Sequence, residues 1–263
     1  MIMIKVPVIA DLFAKEIEPD ILFWVGSAGS FDDRAKKITR AFVKLLNRAN
    51  VDFAVLGTEE SSSGDVAKRA GNEFLFQMQA MTNIEVLNAY NVKKIVTACP
   101  HSYNTLKNEY PELGGNYEVL HHTQFIQELV QQGKLDLSDS NLENDTITFH
   151  DPCYLGRANK EYDAPRTLLK AIGGSELVEM KRSKSNSLCC GAGGAQMFKD
   201  SEKGSMEIND LRTKDALNTK ANVIATGCPF CNTMLTDGVK LHKKEDEVVV
   251  KDVAELLADS LGL

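Results

Sequence analysis

The sequence predicts an α/β protein made of two pseudo-repeated halves, and three observations carry that expectation. Short apolar runs alternate with stretches of helical periodicity. The whole pattern is written twice, at an offset of 126 to 129 residues. In both copies the residues with metal-binding chemistry follow the apolar runs. They therefore fall at the carboxyl ends of the expected strands, where open parallel sheets gather their binding loops.

The elements follow in order. Ile21-Leu22-Phe23-Trp24-Val25, closed by Gly26, reads as a buried strand. Residues 34–47 carry Ile38, Phe42, Leu45 and Leu46 at helical spacing. Phe53-Ala54-Val55-Leu56, ended by Gly57, is a second strand, and 67–90 reads as one long helix. Lys94-Ile95-Val96-Thr97 is a third strand. In the second half Ile147-Thr148-Phe149, Leu177-Val178-Glu179-Met180 and Val223-Ile224-Ala225-Thr226 take the same roles, with helices near 164–172, 206–219 and 230–240. Strands alternating with helices imply parallel sheets with helices packed on them, here two Rossmann-like α/β/α halves. The polar stretch 133–145 is the expected linker, which places a first repeat at 1–135 and a second at 146–263.

Composition excludes several classes. A net charge of −7 argues against a nucleic-acid binder. No apolar run approaches the roughly 20 residues needed to span a membrane. The first residues, Met1-Ile2-Met3-Ile4-Lys5, lack the pattern of a signal peptide, so a cytoplasmic location is expected. In a reducing compartment, clustered cysteines are more often metal ligands or redox groups than disulfides.

Five cysteines in the second half read Cys153, Cys189-Cys190-Gly191 and Cys228-Pro229-Phe230-Cys231, with intervals 154–188 and 192–227. Cys228 to Cys231 lies at a strand-to-helix junction, and residues three apart share a helix face. Proline suits the first helical position, and the helix N-terminus favours thiolates and anionic clusters. The adjacent pair Cys189-Cys190 can serve one centre only if the backbone is irregular, a freedom that Gly191, Gly193 and Gly194 supply. Five thiols exceed the four that a structural zinc takes and suit an iron–sulfur cluster better. Zinc held by four of the five, a redox dithiol at Cys228/Cys231, and plain buried cysteines remain the alternatives.

This pattern resembles the cysteine-rich CCG domain. That domain occurs, usually in tandem, in the heterodisulfide reductase B subunit, the lactate-utilisation iron–sulfur protein and the C subunit of anaerobic glycerol-3-phosphate dehydrogenase. The resemblance covers nearly the whole chain. It implies that Cys153, Cys189, Cys190, Cys228 and Cys231 ligate a non-cubane [4Fe–4S] cluster. In the heterodisulfide reductase B subunit such a cluster cleaves a disulfide or passes electrons to it. Other members bind zinc or an ordinary cluster at one of their two motifs.

The first half departs from the pattern. Ser27, Ser62, Ser63, Cys99 and Ser102 occupy its five ligand positions. Serine is a hard oxygen donor and does not replace thiolate toward soft centres, so this degenerate site is expected to hold no cluster. Natural loss and deliberate Cys-to-Ser replacement both account for the serines, and the retained Cys99 favours loss.

Other residues carry weaker signals. His150, three residues before Cys153, could hydrogen-bond a cluster sulfur from outside the ligand shell or cap a turn. His101, beside Cys99, and His121-His122, after a strand-like segment, could form a residual Cys/His metal site. Asp32-Asp33-Arg34 and Arg157 lie near ligand loops, where a solvated helix start is the plain reading, and Trp24 reads as core.

The resemblance implies an iron–sulfur oxidoreductase subunit, active with partner subunits. It would relay electrons to or from a thiol, disulfide or quinone-linked partner. No flavin or NAD fingerprint is present, so a partner with ferredoxin-type or flavin centres is expected, and a place peripheral to a membrane complex is compatible. The alternative from another class is a zinc-stabilised, non-redox scaffold or assembly protein.

Overall fold

A computed structural model describes residues 4–200 and 204–263. The chain divides into two units, Met1–Leu135 and Asp136–Leu263.

The first unit runs α1 (Ile9–Phe13), β1 (Ile21–Trp24), α2 (Gly26–Phe31), α3 (Ala35–Arg48), β2 (Phe53–Ala54), α4 (Asp65–Arg69), α5 (Glu73–Ala89), β3 (Lys94–Thr97), α6 (Pro100–Asn104), β4 (Glu118–His121) and α7 (His122–Gln131). The second runs β5 (Asn141–Phe149), α8 (Asp163–Ala171), β6 (Gly173–Leu177), α9 (Ile208–Leu217), β7 (Val223–Thr226), α10 (Pro229–Leu241), β8 (Val249–Asp252) and α11 (Val253–Ser260). Each unit holds one parallel sheet, in the orders β2-β1-β3-β4 and β6-β5-β7-β8. The α/β repeat expected from the sequence is therefore present, with the same strand order in both copies.

Parallel strands are covered on both faces and so read as continuous apolar runs. Every residue of β1 is buried, and so is every residue of β7. Phe23 of β1 meets Phe42 of α3 edge to face at 5.0 Å. Full burial of each such side chain contributes roughly 1.5–3 kcal/mol. In the second unit Met180, Ala216, Ile224, Leu235, Val239 and Val250 form one cluster between sheet and helices.

The structure corrects several boundaries. The helix expected over 67–90 breaks between α4 and α5, where Gly71 adopts a φ of +85° and Asn72 Oδ1 accepts from Leu75 N at 3.1 Å to start the new helix. Strand β6 ends at Leu177 rather than starting there, because Glu176 and Leu177 pair with Thr146 and Ile147 and Met180 turns into the core. Strand β5 reaches back to Asn141, into the expected linker, through a register shift between Asn141 and Asp145. Strand β8 has no counterpart in the sequence reading.

In both units the chain order puts the switch in sheet direction between the first and third strands, β1/β3 and β5/β7. The loops after these strands open at the carboxyl edge, the usual place for a site in such sheets.

Gly238 of α10 packs directly on Thr213 of α9. A Cβ there would lie 2.0 Å from Thr213 Oγ1 and 2.9 Å from Thr213 Cβ. Gly238→Ala should therefore destabilise the protein by about 1–3 kcal/mol through overpacking. That exceeds the roughly 1 kcal/mol that alanine gains within a helix. A lowered thermal or urea midpoint is the expected result, and an unchanged one would refute the close approach.

Candidate metal centre

In the second unit five thiols converge. Cys228 is the last residue before α10, Pro229 opens the helix and Cys231 lies in its first turn. The Cys231 thiol donates to Cys190 Sγ at 3.3 Å and also contacts Cys228. Cys190 contacts Cys189, and Cys189 contacts Cys153, which sits in the turn after β5. The contacts form one unbroken series: 153, 189, 190, 231, 228. Cys190, Cys228 and Cys231 are buried, while Cys153 and Cys189 face the opening. Ala192, Met197, Phe230 and Met234 pack around the buried three.

The irregular backbone that the adjacent pair needs is provided by Gly191, whose φ is +95°. Its N–H turns back to donate to Cys189 Sγ at 3.3 Å. The neighbouring groups then drive the thiols apart in acidity. Hydrogen bonds from Cys153 and Cys190, with the Gly191 N–H, hold Cys189 far below the ordinary thiol range. Hydrogen bonding to that sulfur and burial push Cys153 and Cys190 well above it. Hydrogen bonding to Cys190 and Cys228, with complete burial, does the same to Cys231. Left alone, the pocket holds Cys153, Cys190 and Cys231 in their protonated forms. Ionising the others needs a cationic centre among them, which is the chemistry of a thiolate-held metal group.

A buried ionic network fixes the loops. Asp151, two residues before Cys153, accepts both Arg166 Nη1 and Nη2 at 2.7 and 3.0 Å and also Lys184 N at 2.7 Å. Arg166 reaches on to Glu179 at 2.6 and 2.9 Å. Ser187 Oγ donates to the Asp151 carbonyl at 3.3 Å, and Arg157 donates to the Ser187 carbonyl. The Cys153 turn is thus tied to the loop that delivers Cys189. His150 is fully buried, and one of its ring nitrogens lies within 4.8 Å of both Cys190 Sγ and Cys231 Sγ. Its Nδ1 accepts from Arg212 Nε at 2.9 Å.

The first unit repeats this cradle in oxygen. Ser102 Oγ donates to Ser63 Oγ at 3.4 Å, where the second unit places Cys231 and Cys190 at 3.3 Å. Gly64, with φ +86°, donates to Ser62 Oγ at 3.2 Å, matching Gly191 and Cys189. Cys99 and Ser102 flank Pro100 at the start of α6. Ser27 lies exposed on α2. The residual Cys/His site is not assembled among the described residues. His101 Nδ1 instead pairs with Asp65 at 2.8 Å, while His121 and His122 bond each other at 3.2 Å. Asp32 caps the start of α3 at Ala35 N, Asp33 pairs with Lys36, and Trp24 is core.

The sequence pattern of the CCG family, a cysteine-rich domain, matches residues 21–107 and 147–236. The chain belongs to the CCG family. Among curated relatives of this CCG chain, "Probable iron-sulfur-binding oxidoreductase FadF" of Bacillus subtilis is 51% identical over 98% of this chain and 36% of that protein. "EtfAB:quinone oxidoreductase" of Syntrophomonas wolfei is 48% identical over 91% of this chain and 34% of that one. The D subunit of the "Dihydromethanophenazine:CoB--CoM heterodisulfide reductase" of Methanosarcina barkeri is 36% identical over 94% of this chain and 60% of that one. The chain therefore spans about a third of the first two relatives and three-fifths of the other. Among solved structures, a glutamate racemase from Francisella tularensis gives a TM-score of 0.36 at 15% identity over 92% of this chain and 79% of that one, too remote to bear on fold or function.

Sequence reading passed over the groups that brace this CCG site. Asp151, Arg166 and Arg212 are ordinary charged residues in sequence, and only the fold reveals that all three are buried. Glu60 was also passed over. It accepts from Val25 N at 2.9 Å and Gly26 N at 2.5 Å, at the start of α2.

Two outcomes follow from these braces. Arg166→Ala strands the Asp151 carboxylate in the interior. It should cost about 3–5 kcal/mol in urea-measured stability, and a loss below about 1 kcal/mol would mean that water reaches the pair. Burial pushes Glu60 up to about 7 against the two backbone bonds that lower it. A folded value above the unfolded one means that the folded state holds the proton more tightly. Its contribution is therefore full below about pH 4.5 and is lost as pH rises through about 7. The loss is on the order of 3–4 kcal/mol, at about 1.4 kcal/mol per unit. Glu60→Gln should flatten this slope in melts taken between those limits.

Proposed function

We propose that this chain is the electron-relay module of an iron–sulfur oxidoreductase. In this reading Cys153, Cys189, Cys190, Cys228 and Cys231 hold one [4Fe–4S] cluster of the non-cubane type. The observation that carries it is the unbroken series of five thiol contacts at one sheet edge. Four thiolates complete a zinc site, and the fifth then has no role. The names of the relatives, an iron–sulfur-binding oxidoreductase, a quinone oxidoreductase and a heterodisulfide reductase component, favour the same reading over a zinc scaffold.

When bound, such a cluster supplies reversible electron transfer at a potential set by its charge, hydrogen bonds and solvent exposure. The chain's own residues do the rest. Met197, Phe230, Met234 and Ala192 exclude water from the inner three sulfurs. The N-terminus of α10 places its dipole behind Cys228 and Cys231, favouring their anionic forms. Cys153 and Cys189, at the opening, lie on the side from which a partner can approach. The electrons come from or go to a protein with ferredoxin-type or flavin centres, and the far partner is a thiol, a disulfide or a quinone-linked acceptor. The first unit, holding serines where thiolates are needed, carries no cluster and serves as a support. Among the described residues no helix is long and apolar enough to cross a membrane.

Anaerobic reconstitution followed by iron, sulfide and zinc analysis with EPR tests this. The expected result is about four irons per chain, abolished by Cys189→Ser. Stoichiometric zinc with no iron would sink the proposal, and about eight irons would place a cluster on the first unit as well.

A further inference from the structure

We infer that Arg212 is a positioning residue that fixes His150 as an Nε2–H donor to a sulfur of the bound centre, and so keeps His150 from ligating metal. The inference rests on the five-cysteine site proposed above.

A guanidinium has five N–H donors and no acceptor. Arg212 Nε donates to His150 Nδ1 at 2.9 Å, so that nitrogen must present its lone pair. A neutral imidazole with a bare Nδ1 carries its proton on Nε2. That Nε2 is buried and has no hydrogen-bond partner among the described residues, and His150 is 0% exposed. An N–H buried with no acceptor is destabilising, and the cost disappears once an acceptor stands in front of it. A ring nitrogen of His150, Cys190 Sγ and Cys231 Sγ all lie within 4.8 Å of one another. The group that would satisfy Nε2–H is therefore an electron-rich sulfur of the centre those cysteines hold.

The same geometry excludes the opposite assignment. Metal bound at Nε2 would force the ring proton onto Nδ1, where it would face Arg212 Nε–H, donor against donor. The ring has little room to turn away, because His150 is fully buried and its backbone is anchored to the sheet by the bond from His150 N to the Ala225 carbonyl of β7 at 2.9 Å. Arg212 is itself held. It is 0% exposed, and its Nη1 donates to the Arg182 carbonyl at 2.7 Å and lies 3.5 Å from Asp215 Oδ2. Asp215 in turn accepts Arg182 at 2.6 and 2.7 Å. The charged groups around the ring are therefore Arg212, with Arg182 and Asp215 behind it, Arg157, and the cysteines in front.

The internal repeat acts as a control. At the 126-residue offset His150 corresponds to Trp24, a core residue with a donor and no acceptor nitrogen. Offsets of 127 to 129 put Asn83, Ile84 or Glu85 opposite Arg212. The His–Arg pair is found only in the repeat that keeps five thiols.

The test uses the reconstituted chain. Pulsed EPR in H₂O and D₂O should show an exchangeable proton coupled to the centre, without the strong nitrogen coupling of a metal-bound imidazole. EPR-monitored redox titration should give a lower midpoint potential in His150→Leu and Arg212→Met than in the original chain at equal iron content. Arg212→Lys, which keeps a donor to Nδ1, should recover part of the shift. A directly coordinated histidine nitrogen, or an unchanged potential in loaded His150→Leu, overturns the inference. If the chain takes up no iron, nitrogen NMR of the metal-free chain at neutral pH still decides. Protonation of His150 at Nε2 supports the inference even as the iron–sulfur reading falls, and protonation at Nδ1 overturns it.

Discussion

Five thiols in one unbroken series of contacts, three of them buried, cannot all ionise without a cation, and the loops of the second unit are arranged around that constraint. Without a cation the thiolate of Cys189 is favoured by its neighbours' protons and by the Gly191 N–H, while Cys153, Cys190 and Cys231 stay protonated. Each further thiolate would be a charge removed from water with nothing to offset it. A metal group reverses the balance, because every proton released is replaced by a bond to the centre. Loading and thiol ionisation are thus one event at this site.

The braces are placed where that event would otherwise move the chain. Asp151 and Arg166 bind the Cys153 turn to the strand-to-loop segment leading to Cys189. Arg212 reaches from α9 to His150, three residues before Cys153. On the other side Cys228 and Cys231 ride on a rigid helix start. Thiols from three separate loops therefore meet with little freedom left in any of them. This is how a site keeps ligand positions when its occupant changes charge.

Much of this was legible in the sequence because the signals are local or repeated. Continuous apolar runs such as Ile21–Trp24 and Val223–Thr226 announce strands covered on both faces. The twofold spacing of cysteines and serines announces the duplicate. What escaped depends on contacts between distant residues. Arg212 and His150 are 62 positions apart, and Asp151 and Arg166 lie on different elements. An arginine looks solvent-bound until the fold buries it. Strand β8 escaped because it is half exposed and only four residues long, joined by Asp252 to a helix whose capping box, Asp252 with Glu255, reads as a helix start. The helix over 67–90 was overextended because a single glycine, Gly71, is a weak stop in sequence, whereas its positive φ is a definite one. Beside the contrast of serines with cysteines, the mismatch of Trp24 with His150 was a further difference between the copies that the sequence displays.

The two cradles agree to 0.1 Å across their central contact, 3.4 Å between oxygens and 3.3 Å between sulfurs. A backbone that takes the same shape around hydroxyls does not owe that shape to metal. Small metal-dependent domains such as zinc fingers stay unfolded until loaded, so their binding energy is spent on ordering the chain. Here the order of assembly is reversed: the chain folds first and its centre is delivered into a finished socket.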